Sequence, residues 1–117
     1  MKILVLEDDQ NRIEEFKKSF RSEHRVIYTD DAEMAINHLK ENTFDILFLD
    51  HDLGGCVYVD TNEYQTGSTV AKWLSENKDR MPPRVILHTL NSYGATNMKS
   101  YIPHAQIIPF AWTKIKV

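Results

Sequence analysis

The sequence predicts an α/β fold in which a doubly wound, five-stranded parallel sheet carries helices on both faces. Three observations point there. Short apolar runs alternate with amphipathic segments along the whole chain. Those runs are near-continuous, as strands buried on both faces require, instead of apolar at every second residue. Ionisable residues follow directly after the first, third and fourth runs, at the strand ends beyond which such sheets bind ligands.

Lys2 to Glu7 reads as the first strand, with Ile3 to Leu6 as its apolar run. Asn11 to Arg21 follows as a helix with Ile13, Phe16 and Phe20 on one face and charges on the other. Arg25 to Tyr28 is a short strand. The next helix, Asp30 to Glu41, has Asp30 and Glu33 at capping-box spacing and a buried stripe of Ala32, Ala35, Ile36 and Leu39. Phe44 to Leu49 is the central strand. After a loop punctuated by glycines, Ser68 to Asn77 forms a helix that turns Val70, Trp73 and Leu74 inward. Pro82 and Pro83 close that unit, and Arg84 to Leu87 forms the fourth strand. Asn91 to Tyr101 is weakly patterned and reads as a loop with a short helix. Gln106 to Ile108 is the last strand, stopped by Pro109. Right-handed crossovers join parallel strands. Acid clusters after the first and third strands put the switch point between them, which gives the flavodoxin-like order 2-1-3-4-5.

At 117 residues the chain is expected to be a single domain, 1–117. Its 42% hydrophobic and 26% charged residues are those of an ordinary soluble globular protein. A net charge of -3 gives no general attraction for DNA, so nucleic acid would need a local basic patch. No apolar run approaches the roughly 20 residues of a membrane span, and Met1-Lys2 opens no signal-peptide pattern. The single cysteine, Cys56, excludes an internal disulfide, and a cytoplasmic location is expected. The loop at about 51–67 far exceeds the roughly 2–6 residues usual for such a connection. Gly54, Gly55 and Gly67 bracket it, and it is expected to be a surface loop or a functional lid.

Asp8, Asp9 and Asp50 form the first chemical constellation. If their strands are neighbours, these carboxylates crowd one crevice, a cost that a cation or a shared proton relieves. Short oxygen ligands suit Mg²⁺, with Mn²⁺ as the alternative; one of Asp8 and Asp9 can also cap the following helix. His51 and Asp52 follow Asp50, and His88 ends the fourth strand. Two imidazoles at one crevice are candidates for general acid and base, with Asp52 orienting a ring. Thr89 and Asn91 offer a hydroxyl and an amide to phosphate oxygens, or cap the next segment. Arg84, Lys99 and Lys114 are the cations considered for a substrate. Tyr58, Tyr64, Tyr93 and Trp112 could stack on a base, while Trp73 reads as core and His24, His38 and His104 as structural.

Leu-Glu-Asp-Asp after the first strand, Phe-Leu-Asp ending the third, Thr89 after the fourth and Ile-Pro-Phe after the fifth resemble the receiver domain of two-component response regulators. That resemblance implies Asp8 and Asp9 as Mg²⁺ ligands, Asp50 as phosphoacceptor and Thr89 as switch hydroxyl. Receivers carry a lysine where this chain has Ile108, and an apolar side chain there removes a charge contact to the phosphoryl group. Leu49 to Gly55, Thr66-Gly67, His88 to Asn91 and Gly94 to Met98 resemble more specifically a divergent branch, the cyclic-phosphate-processing receiver domain. This implies a metal-dependent phosphoesterase acting on a cyclic phosphate of RNA ends or nucleotides, as in RNA repair. Two chemical routes fit: water activated by one imidazole with the other protonating the leaving oxygen, or a covalent aspartyl-phosphate at Asp50. The alternative is a stand-alone receiver, phosphorylated at Asp50 or used for docking. A domain that holds a nucleotide without turning it over is a third reading.

Overall fold

The computed structural model describes residues 1–53 and 66–109. In chain order the elements are β1 (Lys2–Leu6), α1 (Gln10–Ser19), β2 (Arg25–Thr29), α2 (Ala32–Glu41), β3 (Ile46–Leu49) and α3 (Gly67–Glu76). A 3-10 turn at Lys78–Arg80 then leads to β4 (Arg84–Leu87), α4 (Ser92–Tyr101) and β5 (Gln106–Ile107). The strands are parallel and lie in the order β2-β1-β3-β4-β5, as the sequence predicts.

Strand residues of alternate parity face opposite sides, and here each side has its own core. Ile3, Val5, Ile46, Phe48 and Ile86 pack with Phe16 of α1. Leu4, Leu6, Leu47, Leu49, Val85 and Leu87 pack under α2, α3 and α4. Apolar burial on both faces is what makes the strand sequences continuous hydrophobic runs. The register sets Leu6 opposite Leu49 and Leu49 opposite Leu87, so three strands end level. The residue that follows each of them is Glu7, Asp50 or His88.

Several element ends differ from the sequence expectation. The cap of α2 is Asp31, whose carboxylate accepts from the Glu33 N–H at 2.9 Å; Asp30 does not cap the helix. Asn91 to Tyr101 yields a full ten-residue helix in place of a loop with a short helix. Its buried face is Gly94, Ala95 and Met98, and the two small residues give little amphipathic signal but let the helix approach the sheet closely. The helix α3 starts at Gly67, behind Thr66, whose N–H donates to Thr69 Oγ1 at 3.3 Å. Most of the expected lid, with Gly54, Gly55, Cys56, Tyr58 and Tyr64, lies outside the described residues, as do Trp112 and Lys114.

Gly67 shows why the start of α3 can tolerate no side chain. A Cβ there would lie 2.0 Å from the Asp50 carbonyl oxygen and 2.8 Å from Met98 Sδ, while the Gly67 N–H donates to the His51 carbonyl at 3.0 Å. The helix is thus bonded directly to the end of β3. Gly67→Ala must push backbone from backbone and is expected to cost about 1–3 kcal/mol, as overpacking does, measured by urea unfolding at unchanged slope.

Candidate active site

The site is a continuation of the core on the α1 side of the sheet. Ile3, Val5 and Glu7 form one row, Ile46, Phe48 and Asp50 a second, and Ile86 and His88 a third. Each row begins apolar and ends in an ionisable group one step beyond its strand. Glu7, Asp50 and His88 are almost completely buried, at 0%, 3% and 0% exposure. One ligand atom from each lies within 4.8 Å of the other two. Glu7 Oε2 and His88 Nε2 share a hydrogen bond of 2.7 Å. The His88 ring stands edge-on to Phe16, with centroids 5.2 Å apart, so aromatic surface shields it from water.

Arg12, in the first turn of α1, holds Nη1 3.8 Å from Glu7 and 3.9 Å from Asp50. Burial pushes the Glu7 carboxyl up from its ordinary 4.5 to about 7, against a hydrogen bond from the Asp9 N–H and the charge of Arg12. Burial likewise raises Asp50 from 3.8 to about 7; His88, Arg12 and a hydrogen bond from the Thr89 hydroxyl oppose the rise, and Glu7 adds to it. Burial lowers His88 from 6.5 to about 4, with Asp50 acting the other way. These groups resist charging together because each charge loses its water.

The structure sorts the sequence candidates into different places. Asp50 and His88 do converge, and Thr89 joins Asp50. Asp9, in contrast, is exposed and caps α1, its Oδ1 accepting from Asn11 and Arg12 N–H at 2.8 and 3.2 Å. Asp8 is half-buried beside Glu7, whose proton its charge helps retain, and is not one of the three clustered groups. The acid missed in the sequence is Glu7, read there only as the last residue of a strand.

His51 has the opposite parity to Asp50 and lies against α4, where a Cβ on Gly94 would fall 2.4 Å from its ring. Its Nδ1 is 3.0 Å from Asp52 Oδ1, and Asn91 Nδ2 donates to the same Asp52 oxygen at 3.1 Å. Asn91 Oδ1 accepts from the Gly94 N–H at 3.0 Å and so caps α4. His51, Asp52 and Asn91 therefore tie the end of β3 to the start of α4, and His51 is not part of the Glu7–Asp50–His88 group. Of the cations considered, Arg84 reaches Gln106 at 3.4 Å and Lys99 reaches the Pro103 and Ala105 carbonyls, both away from the cluster. Among the described residues, Arg12, not singled out in the sequence, is the cation that meets the acids.

Comparison with known proteins fits this geometry. A model of the cyclic-phosphate processing receiver domain matches residues 2–104. The chain belongs to that family. Solved structures of low identity share the fold. The response regulatory domain of mrkE from Klebsiella pneumoniae has a TM-score of 0.69 at 18% identity, covering 97% of this chain and 88% of that one. A CheY-like receiver protein from Methanospirillum hungatei JF-1 has 0.69 at 13%, covering 96% and 84%. The Mn(2+)-bound form of response regulator Rcp1 has 0.64 at 18%, covering 89% and 77%. Comparison by sequence with curated proteins gives no match. No helix among the described residues is long and apolar enough to cross a membrane.

The burial of Glu7 has a measurable consequence in the metal-free protein. Its folded value lies above the unfolded one, so its stabilisation is complete below about pH 4.5 and is lost as pH rises through about 7. His88 has the opposite sign: its contribution is present above 6.5 and is lost as pH falls through about 4. Glu7→Gln removes the first effect. Thermal melts in chelator should show the variant gaining on the parent between pH 5 and pH 8, up to about 2–3 kcal/mol. A constant difference across that range would mean Glu7 does not titrate there.

Proposed function

We propose that this domain hydrolyses a cyclic phosphate ester, such as the 2′,3′-cyclic end of an RNA or a cyclic nucleotide, with the help of a divalent cation. The observation that carries this reading is the buried Glu7–His88 pair set beside Asp50. Burial moves the proton affinities of carboxylate and imidazole in opposite directions, the condition under which paired groups divide acid from base work. Near neutral pH His88 is an uncharged base. Glu7 Oε2 fixes the ring through Nε2, and Nδ1 takes a proton from the attacking water. The same proton returns to the ribose oxygen as its bond to phosphorus breaks. The Thr89 hydroxyl, beside Asp50, donates to a phosphoryl oxygen. His51, Asp52 and Asn91 position the ends of β3 and α4 around this chemistry.

Glu7 and Asp50 would hold the cation, with His88 as the nearest nitrogen. Bound there, it supplies a Lewis acid that polarises phosphoryl oxygen. The donor set fits such an ion: two buried carboxyls crowd together and gain from a cation between them. Such carboxylate oxygens suit Mg²⁺ or Mn²⁺, and His88 beside them stays the base. Titration calorimetry should show binding of either ion, and Asp50→Asn should weaken it at least tenfold.

A second reading rests on a different observation, the hydrogen bond between the Thr89 hydroxyl and Asp50. It makes Asp50 a phosphoacceptor in a signalling receiver, a role the shared fold suits equally well. Acetyl phosphate and 2′,3′-cyclic nucleotides separate the two. The esterase reading expects turnover of the cyclic nucleotide with Mn²⁺, a loss of about 10²–10⁴-fold in His88→Ala and a much smaller loss in His51→Ala. An acid-stable, base-labile phosphoryl group on Asp50, together with no turnover of any cyclic phosphate, would favour the signalling receiver.

A further inference from the structure

Arg12 stands between the buried acids and solvent. Glu7 and Asp50 have 0% and 4% side-chain exposure, while the Arg12 side chain keeps 25%. Its guanidinium faces one oxygen of each acid at 3.8 and 3.9 Å, distances of charge contact and longer than a hydrogen bond. An anion entering from solvent therefore meets this cation before it meets the carboxylates. The side chain is also well anchored at its base. Asp9 caps the first turn of α1 and accepts from the Arg12 N–H at 3.2 Å, so the helix fixes where the guanidinium can reach.

Among the described residues, the opposite side of the site carries no such charge. Ile108 donates its N–H to the Leu87 carbonyl at 3.0 Å, which sets it one step past the last pair of β4 and β5, level with His88. Its side chain packs against the apolar group of Phe16, Phe48 and Ile86. The described residues on that side of His88 are thus apolar and aromatic.

We infer that Arg12 is the phosphate-receiving residue of this site, a guanidinium that balances Glu7 and Asp50 until a divalent cation takes over that role and then turns its planar donors to phosphoryl oxygens. The proposal rests on the reading of the site as a phosphoryl centre, though not on turnover. A cation entering between Glu7 and Asp50 repels Arg12, and the guanidinium fork matches the oxygens of a phosphate as an ammonium does not. Arg12 should therefore oppose cation binding and favour anion binding.

That pair of opposite signs is the test. Mn²⁺ binding is measured by titration calorimetry, and inorganic phosphate binding by the same method on the Mn²⁺-saturated protein, for parent, Arg12→Ala and Arg12→Lys. Arg12→Ala should bind Mn²⁺ as tightly as the parent or several-fold more tightly, and bind phosphate about 10- to 100-fold more weakly. Arg12→Lys should lie between the two in phosphate affinity. Weakened Mn²⁺ binding in Arg12→Ala would show a structural support for the acids and overturn the proposal, as would unchanged phosphate affinity. Neither readout involves hydrolysis, so a parent protein inert toward cyclic phosphates but binding phosphate through Arg12 would sink the esterase reading alone.

Discussion

The 2.7 Å hydrogen bond between Glu7 and His88 is the constraint around which this end of the molecule is organised. Both side chains are fully buried, and each gives the other a hydrogen-bond partner, since a buried polar group without one is costly. Their separation in sequence, 81 positions, means that only the assembled sheet brings them together. β3 lies between the strands that carry them, and its own terminal residue, Asp50, completes the group. The fold and the site are thus a single construction: level strand ends produce level ionisable groups.

The same construction explains why the site belongs to one face. The rows that end in Glu7, Asp50 and His88 are the rows that pack on α1, and α1 also delivers Arg12. On the other face the equivalent position after β3 is His51, pinned between Gly94 and the Asp52–Asn91 bond. Asp50 and His51 are adjacent in sequence, yet one belongs to the ionisable cluster and the other to the seam between β3 and α4. Gly67, at the start of α3, abuts both the Asp50 carbonyl and Met98 of α4, so the three elements close on one another here.

Strand order and the gathering of ionisable groups at the strand ends were legible in the sequence, because continuous apolar runs and acid clusters at their ends are strong local signals. The membership of the cluster was less so. Glu7 looked like the close of a strand, and Asp8-Asp9 looked like the acidic pair. Extending the period of two along each strand would have separated them: Ile3, Val5 and Glu7 share a side, as do Phe48 and Asp50, and Ile86 and His88. The same count puts His51 on the other side. Arg12 lies three residues into a helix whose facing depends on packing, which no strand pattern reports. The helix α4 was hidden for a different reason, since glycine and alanine bury a face without showing hydrophobic periodicity.

Ile108 and His88 are best understood together. The ladder sets them side by side, and the rings of Phe16 and Phe48 lie within 5.2 and 6.3 Å of the His88 ring. A lysine at 108, the residue this position has in the receivers the chain resembles, would place an ammonium in that apolar wall. It would compete for Glu7 and Asp50 and further disfavour protonation of His88. With isoleucine there, the wall stays apolar, and the imidazole is held uncharged chiefly by burial, with the charge of Arg12 adding to it. Among the described residues, the positive charge of the site comes from Arg12 of α1. Exchanging a fixed ammonium for an apolar wall and a half-exposed guanidinium changes a receiver pocket from one with a cation on β5 to one with a neutral base beside it.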